Sequence, residues 1–317
     1  MAITSVKFKI NGVTHTLTSA GDGTYSASIP APSESSGSNH SGQGPGIGAA
    51  AQGKGYYPGE VVVTDDSGNV VTVGITDATF GNILKLKVLE KVKPTAAIVS
   101  PGNGALISNA VPTISFKLTD EGSGINPSKC YIKIDSGDFV AIPSASVSFS
   151  SDGKVATCTY TPSEALGEGQ HTITVYGTDF DGNVATQVSS SFTVDTVPPT
   201  LNITSPTDGT KINVTSVTVE GITNDVTSSP VTVQITVGGK TYTPTVGAGG
   251  AFSQAIDGLS EGANTITVKA TDSAGKATTV TLTVHVDTEA PVITAITLTP
   301  NPVDGGQTYV VTVTVTD

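Results

Sequence analysis

The stretch Val6-Lys7-Phe8-Lys9-Ile10-Asn11-Gly12 recurs, with the same alternation, as Val233-Gln234-Ile235-Thr236-Val237-Gly238-Gly239. The correspondence runs without a gap from residues 6–29 to residues 233–256. In both copies apolar side chains fall at every second position, which is the period of a strand with one buried face. Repetition of such a unit within one chain predicts an array of β modules.

A second motif recurs in the same register and links three modules. It is Thr-Asp-x-x-Gly-Asn at residues 64–69 and 178–183, and it becomes Thr-Asp-x-x-Gly-Lys at residues 271–276. Asp accepts backbone N–H bonds and Gly adopts positive φ, so the motif is typical of a turn between strands.

Proline-containing linkers separate the modules: residues 88–94, Val194-Asp195-Thr196-Val197-Pro198 and Val286-Asp287-Thr288-Glu289-Ala290-Pro291. Proline fixes its own φ and keeps its predecessor extended, which predicts short, stiff connections. The predicted units are residues 1–93, 94–196, 197–288 and 289–317.

The composition of the chain limits the possible fold classes and binding partners. The chain has 317 residues with 36 Gly, 18 Pro, one Met and no Trp, and its apolar residues are mainly Val, Ile and Ala among Thr and Ser. This composition favours pleated sheet, so an all-β fold with almost no helix is expected. A net charge of −12 argues against nucleic acid and against anionic membrane surfaces. No apolar stretch approaches the roughly 20 residues of a membrane span.

The outer units look incomplete. Val6 corresponds to Cys130 and Val233, so the first unit begins at its third strand, while the last unit stops after its second. One hypothesis is that the C-terminal strands of residues 291–317, which include Val311, Val313 and Val315, complete the first sandwich of a neighbouring copy by strand addition. The alternatives are that the natural chain continues past its last residue, or that residues 74–93 close the first unit.

The first unit also carries a Ser- and Gly-rich insertion at about residues 31–56. Such a segment is too polar and too glycine-rich to pack, which favours a flexible loop. The alternative is a loop that orders on docking, with Tyr56 and Tyr57 as anchors.

The linker motif Val-Asp-Thr-x-x-Pro, the turn motif Thr-Asp-x-x-Gly-Asn and the run Asp120-Glu121-Gly122-Ser123-Gly124-Ile125 together resemble bacterial immunoglobulin-like (Ig-like) domains. These are tandem β-sandwiches of bacterial surface adhesins and of bacteriophage tail and capsid accessory proteins. The resemblance covers essentially the whole chain and implies tandem Ig-like sandwiches. It says little about biological role, because the fold is a general scaffold.

No catalytic constellation is apparent. The four histidines, His15, His40, His171 and His285, lack Cys, Asp or His at metal-ligand spacing. Nucleophile elbows, phosphate loops and His-Glu-x-x-His runs are also missing. We therefore expect no enzyme, no catalytic residues and no bound organic cofactor.

Calcium is the one cofactor that the carboxylates suggest. Asp179 and Asp181 bracket a turn and Asp195 lies at the adjoining linker, and hard oxygen ligands from such positions suit Ca²⁺. The same residues also suit a plain turn. The third module replaces the second acid and gains Lys276, which favours the turn interpretation.

Cys130 and Cys158 fall on apolar strand faces of the second module, so both are expected in one core. They could form a disulfide, although buried free thiols are favoured. Sugar binding has no visible stacking platform, since only Tyr56, Tyr57 and Tyr131 look free to face outward.

The favoured role is a non-enzymatic structural and adhesive protein of a bacteriophage virion. Residues 1–9 alternate as a strand and do not read as an export signal, although the module type is mostly extracellular. Its partners would be other virion proteins or copies of itself, and a host surface glycan is possible. The alternatives are a fragment of a bacterial cell-surface adhesin and accessory β modules of a secreted glycan-degrading enzyme.

Overall fold

The computed structural model describes residues 2–31, 56–86, 88, 89, 91–151 and 153–317. Throughout these residues the regular structure is β-strand, apart from a 3₁₀ turn at Ser144–Ser146. The expected all-β fold is therefore confirmed. None of the described segments forms a helix long and apolar enough to cross a membrane.

The N-terminal module is built on one sheet with the strand order β2-β1-β5-β6, to which β7 adds by pairing with β5. A separate two-stranded hairpin joins β3 to β4. Phe8 in β1 stands opposite Val61 in β5 within an antiparallel pair. The strands are β1 (Ile3–Ile10), β2 (Val13–Thr16), β3 (Thr18–Ser19), β4 (Tyr25–Ser26), β5 (Tyr57–Asp65), β6 (Val70–Val73) and β7 (Lys85–Leu86).

The next module has two sheets. One runs β13-β14-β10-β8, and the other contains the order β12-β11-β15-β16. The strands are β8 (Thr95–Ser100), β9 (Ala105–Ile107), β10 (Ile114–Thr119), β11 (Ile125–Ile134), β12 (Val140–Ala141), β13 (Val147–Phe149), β14 (Val155–Tyr160), β15 (Gly169–Asp179) and β16 (Val188–Val194).

The third module repeats this plan with the sheets β17-β19-β22 and β18-β24-β23-β20-β21. Its strands are β17 (Thr200–Ser205), β18 (Thr210–Ile212), β19 (Ser216–Asn224), β20 (Thr232–Val237), β21 (Lys240–Tyr242), β22 (Ala251–Asp257), β23 (Gly262–Thr271) and β24 (Ala277–Val286). The C-terminal residues form an antiparallel hairpin of β25 (Val292–Thr299) and β26 (Val310–Thr316).

One sheet recurs in all three modules. The order β2-β1-β5-β6 is repeated as β12-β11-β15-β16 and as β21-β20-β23-β24. Val6, Cys130 and Val233 lie on the corresponding strands β1, β11 and β20. The sequence register is therefore confirmed, because a slip of one residue would have turned every apolar side chain to the wrong face.

The cores follow from this alternation. In the second module Phe116, Leu118 and Ile173 are fully buried. In the third module Ile235 and Ile266 are fully buried at the centre of the cluster. Removing one such side chain from water stabilises the fold by roughly 1.5–3 kcal/mol, so each sheet is held to its partner by many modest contributions.

The two cysteines lie on different sheets of the second module, Cys130 on β11 and Cys158 on β14. Both are fully buried free thiols, as the sequence favoured. A contact with Cys158 lowers the pKa of the Cys130 thiol, and the same contact with burial raises the pKa of the Cys158 thiol. The pair thus fills the core between the two sheets.

The chain divides into two compact units. One comprises residues 1–105 and 109–194, and the other comprises residues 106–108 and 195–317. The four finer boundaries drawn from the sequence stay a prediction.

Gly221 offers a test of packing in the third module. It lies in β19, where an added Cβ would sit 2.6 Å from Cζ of Phe252 and 2.7 Å from the carbonyl oxygen of Asn202. Gly221→Ala should lower the free energy of unfolding by about 1–3 kcal/mol, because a core cannot absorb the extra methyl without moving backbone. Gly247→Ala is the matched control, since its Cβ would meet only an ordinary 3.5 Å contact. Denaturant unfolding of both variants makes the comparison, and equal stability would contradict this packing.

Candidate metal centre

The recurring turn motif places one aspartate at the end of a strand in each module. In the first module Asn69 donates its backbone N–H to Oδ1 of Asp65 and its side-chain amide to Oδ2, both at 2.8 Å. In the second module Asn183 makes the same two bonds to Asp179, at 2.8 and 2.7 Å. Both oxygens of each carboxylate therefore accept hydrogen bonds within their own turn, as the turn interpretation of Asp179 expects.

The third module differs at one atom. The backbone N–H of Lys276 donates to Oδ1 of Asp272 at 2.8 Å, as Asn does in the other modules. Lysine has no amide to reach the second oxygen, and Oδ2 of Asp272 is buried without a hydrogen-bond partner among the described residues. A buried acceptor with no donor is costly, so this oxygen needs another ligand.

Two further aspartates present their carboxylates at the same end of this module. Oδ1 of Asp195 accepts the N–H of Val197 at 3.2 Å, and Oδ2 of Asp195 is buried without a partner in the described chain. Oδ1 of Asp225 accepts the N–H groups of Thr227 and Ser228 at 2.8 and 2.7 Å. Local turns thus fix the orientation of each carboxylate.

The three carboxylates form one cluster. One oxygen each from Asp195, Asp225 and Asp272 lies within 4.8 Å of the other two. The residues are 0, 8 and 6 % exposed, so water screens them little. Carboxylates this close repel one another when they are ionised, and burial reduces the screening of that repulsion. Across the described residues no Lys or His forms an ion pair with any of the three.

A hydroxyl lies in the same loop. Ser228 is 3 % exposed, and its Oγ is buried without a hydrogen-bond partner in the described part of the chain. Its carbonyl accepts the N–H of Ser273, the residue that follows Asp272, at 3.5 Å. The loop after Asp225 therefore contacts the turn after Asp272 through this hydrogen bond.

The three aspartates that the sequence suggested as calcium ligands do not lie together in the structure. Asp195 belongs to the cluster, whereas Asp179 and Asp181 lie in the other compact unit. The backbone N–H of Asp181 donates to Oγ of Ser123 at 3.2 Å. Sequence reasoning missed Asp225 and Asp272 as candidate ligands, although the exchange of Asn for Lys at position 276 was the available signal.

The tyrosines proposed as outward anchors behave differently. Tyr57 is fully buried at the start of β5, so the expectation that it faces outward is wrong. Its ring is taken into the sheet core because it falls on the apolar face of the strand. Tyr56 is partly buried, with Nζ of Lys85 5.6 Å from its ring centre. Tyr131 stacks on Tyr176 at 4.9 Å. The rest of the insertion lies outside the described residues.

The C-terminal hairpin exposes apolar side chains. Val311, Val313 and Val315 in β26 are 54, 46 and 53 % exposed, and Ile296 in β25 is 61 % exposed. The strand pairs antiparallel with β25, as the first two strands of a module should. Strand addition to a neighbouring copy stays a prediction.

Of the histidines, His171 has a defined polar environment. Its Nδ1 is 2.7 Å from Oδ2 of Asp135 and its Nε2 is 2.8 Å from the carbonyl oxygen of Gly167. Both neighbours are acceptors, so the arrangement favours a ring with hydrogen on both nitrogens. Burial lowers the pKa of His171, but the bonds to Gly167 and Asp135 outweigh it and raise that pKa above 6.5.

A pH dependence follows. Because the pKa of His171 is raised in the folded state, its stabilising contribution is fully present below about pH 6.5 and is lost as the pH rises through the higher folded value. The contribution should not exceed about 1 kcal/mol, since Asp135 is partly exposed. Thermal unfolding from about pH 5.5 to 8.5 should show this loss in the wild type and not in His171→Gln. Parallel curves for the two proteins would contradict the assignment.

Comparison with known proteins agrees with the fold. Residues 107–196 match the family profile described as bacterial Ig-like domain. Residues 199–288 match the profile described as glucodextranase, domain B. No curated protein sequence matches the chain.

Solved structures with related folds share little sequence. The fibronectin(III)-like modules of Clostridium thermocellum CbhA are 17% identical with a TM-score of 0.35, over 61% of this chain and 94% of theirs. A structure from a 1.5-MDa bacterial ice-binding adhesin is 22% identical with a TM-score of 0.34, over 90% and 88%. The Sidekick-1 immunoglobulin domains 1–5 are 14% identical with a TM-score of 0.36, over 92% and 55%.

The strand order and the profile match define the class of protein. Residues 107–196 are a bacterial Ig-like domain. The chain as a whole has the architecture of tandem Ig-like β-sandwich modules.

Proposed function

We propose that this chain is a non-catalytic structural and adhesive array, displayed on the outside of a bacteriophage virion and aiding attachment to the host surface. Its partners are other virion proteins or copies of itself, together with a host surface glycan. The observation that carries the proposal is the threefold recurrence of one sheet order in a chain with stiff proline linkers. Repetition of one module presents similar surfaces several times in one chain, which favours attachment through multivalency.

Display on a bacterial cell surface is the alternative setting.

Locating the protein tests the proposal. Particles banded on a density gradient from a lysate of the source culture should contain peptides of this chain, and antibody against the purified chain should slow adsorption of those particles to host cells. Antibody against an internal virion protein is the matched control, because it cannot reach its target on intact particles. Peptides released by protease from intact uninfected cells, with none in the particle band, would instead place the chain on the cell surface.

The match of residues 199–288 to glucodextranase, domain B favours a second candidate. In this alternative the module is an accessory part of a glycan-acting enzyme and holds that enzyme near its substrate. Incubation of the purified chain with insoluble α-glucan and with cellulose, followed by centrifugation, distinguishes the two. Retention on one glycan supports the accessory role, and recovery in the supernatant with both contradicts it.

A further inference from the structure

We propose that Asp195, Asp225 and Asp272 bind one calcium ion within the second compact unit, residues 106–108 and 195–317. The site is independent of where the protein is displayed, since it depends only on residues of this unit. It replaces the set Asp179, Asp181 and Asp195 suggested by the sequence.

Charge is the first argument. Three carboxylates, each more than nine-tenths buried, bring one oxygen apiece within 4.8 Å of the others. No described Lys or His neutralises them through an ion pair. Ionised groups of one sign do not share a buried site unless a counter-charge joins them, and a divalent cation supplies it.

Unsatisfied oxygens are the second, independent argument. Oδ2 of Asp195, Oδ2 of Asp272 and Oγ of Ser228 are buried without hydrogen-bond partners in the described chain. The Oδ1 atoms of both aspartates already accept N–H bonds from their own turns. Each of these two carboxylates is thus oriented by hydrogen bonding at Oδ1, and its Oδ2 is available to bind a cation.

The donor set selects the ion. All candidate ligands are hard oxygens, and calcium takes six to eight such atoms at about 2.3–2.6 Å. Oxygens on opposite sides of one calcium ion are then about 4.8 Å apart, so the observed cluster fits around a single ion. Magnesium holds its ligands at about 2.0–2.1 Å in a strict octahedron and usually keeps several waters, so a set made of protein oxygens suits calcium better.

Position 276 explains why the site belongs to the third module. Asn69 and Asn183 occupy the second oxygen of Asp65 and Asp179 with their side-chain amides. Lys276 leaves the corresponding oxygen of Asp272 free. Lys276 argued against calcium when only the sequence was considered. In the structure, Lys276 leaves Oδ2 of Asp272 available as a ligand.

Binding would fasten three separate segments of the module. Asp195 precedes β17, Asp225 follows β19 and Asp272 follows β23. The carbonyl of Pro199 accepts a hydrogen bond from Oγ1 of Thr278 at 2.5 Å, so the segment after Asp195 already lies against β24. A cation would add a direct link from Asp195 to the two loops and stabilise the folded form by mass action.

Isothermal titration calorimetry of the full chain, freed of metal with a chelator, tests the site with calcium chloride and magnesium chloride. The wild type should bind calcium more tightly than magnesium, and calcium should raise the melting temperature. Asp272→Asn should weaken calcium binding ten-fold or more, since it removes one charged ligand.

Lys276→Asn is the sharper variant. It restores the residue of the other two modules, whose amide would donate to Oδ2 of Asp272 and compete with the ion. Removing a positive charge should by itself strengthen cation binding, so weaker binding in this variant can come only from the occupied oxygen. Asp179→Asn is the matched control at the same turn of the second module and should bind calcium like the wild type.

Several outcomes would overturn the proposal. They are the absence of calcium binding by the wild type, equal binding of magnesium, unchanged binding by Asp272→Asn, or unchanged or tighter binding by Lys276→Asn. Weaker binding by Asp179→Asn would return the site to the second module. If Asp272→Asn does not fold, Lys276→Asn still decides, because it changes no buried carboxylate.

Discussion

Burial of one apolar sheet face against another is the interaction on which this structure depends. Each strand of the recurring sheet exposes a polar row and buries an apolar row, because side chains alternate across a pleated strand. A sheet of this kind is stable only when its apolar row is covered. In the third module β17, β19 and β22 provide the cover, and the core between the sheets includes Ile235 and Ile266. The modules differ in the turns at the ends of the strands, which lie outside this core.

The turn at the end of β5, β15 and β23 shows how a small change at such a position alters chemistry. An aspartate there is required by the N–H groups of the turn, which need an acceptor. Only one carboxylate oxygen is needed for that purpose. In the first two modules an asparagine amide donates a hydrogen bond to the other oxygen. In the third module that oxygen has no hydrogen-bond partner among the described residues. The same backbone geometry can therefore be a self-contained turn or one part of a metal centre.

The fold separates architecture from role. Two neighbouring segments match different family profiles, bacterial Ig-like domain and glucodextranase, domain B. Both segments nevertheless carry the same order of four strands. The core dictates that order, while loops and outward faces determine what each module contacts. Attachment, display and accessory roles can thus be exchanged without altering the sandwich, and the surfaces must be tested directly.

The amino-acid sequence was sufficient to predict the all-β fold, the register of the repeats and a turn at Asp179. These features are local: alternation has a period of two, and an Asx turn closes within five residues. It also favoured free thiols at Cys130 and Cys158, which the structure bears out. Repetition strengthened each inference, since Val6, Cys130 and Val233 could be compared with one another.

Which carboxylates lie close together depends on how the strands pair and pack. Asp195, Asp225 and Asp272 are separated by 30 and 47 positions in the chain, and pairing of strands brings their turns to one end of the module. The burial of Tyr57 was likewise not predicted, because it depends on the residues that pack around the start of β5 in the folded module. Hydrophobic periodicity and secondary-structure propensity reflect residues that are close in sequence. A set of metal ligands depends instead on distances between residues that are remote in sequence, and those distances are fixed only when the sheets pack.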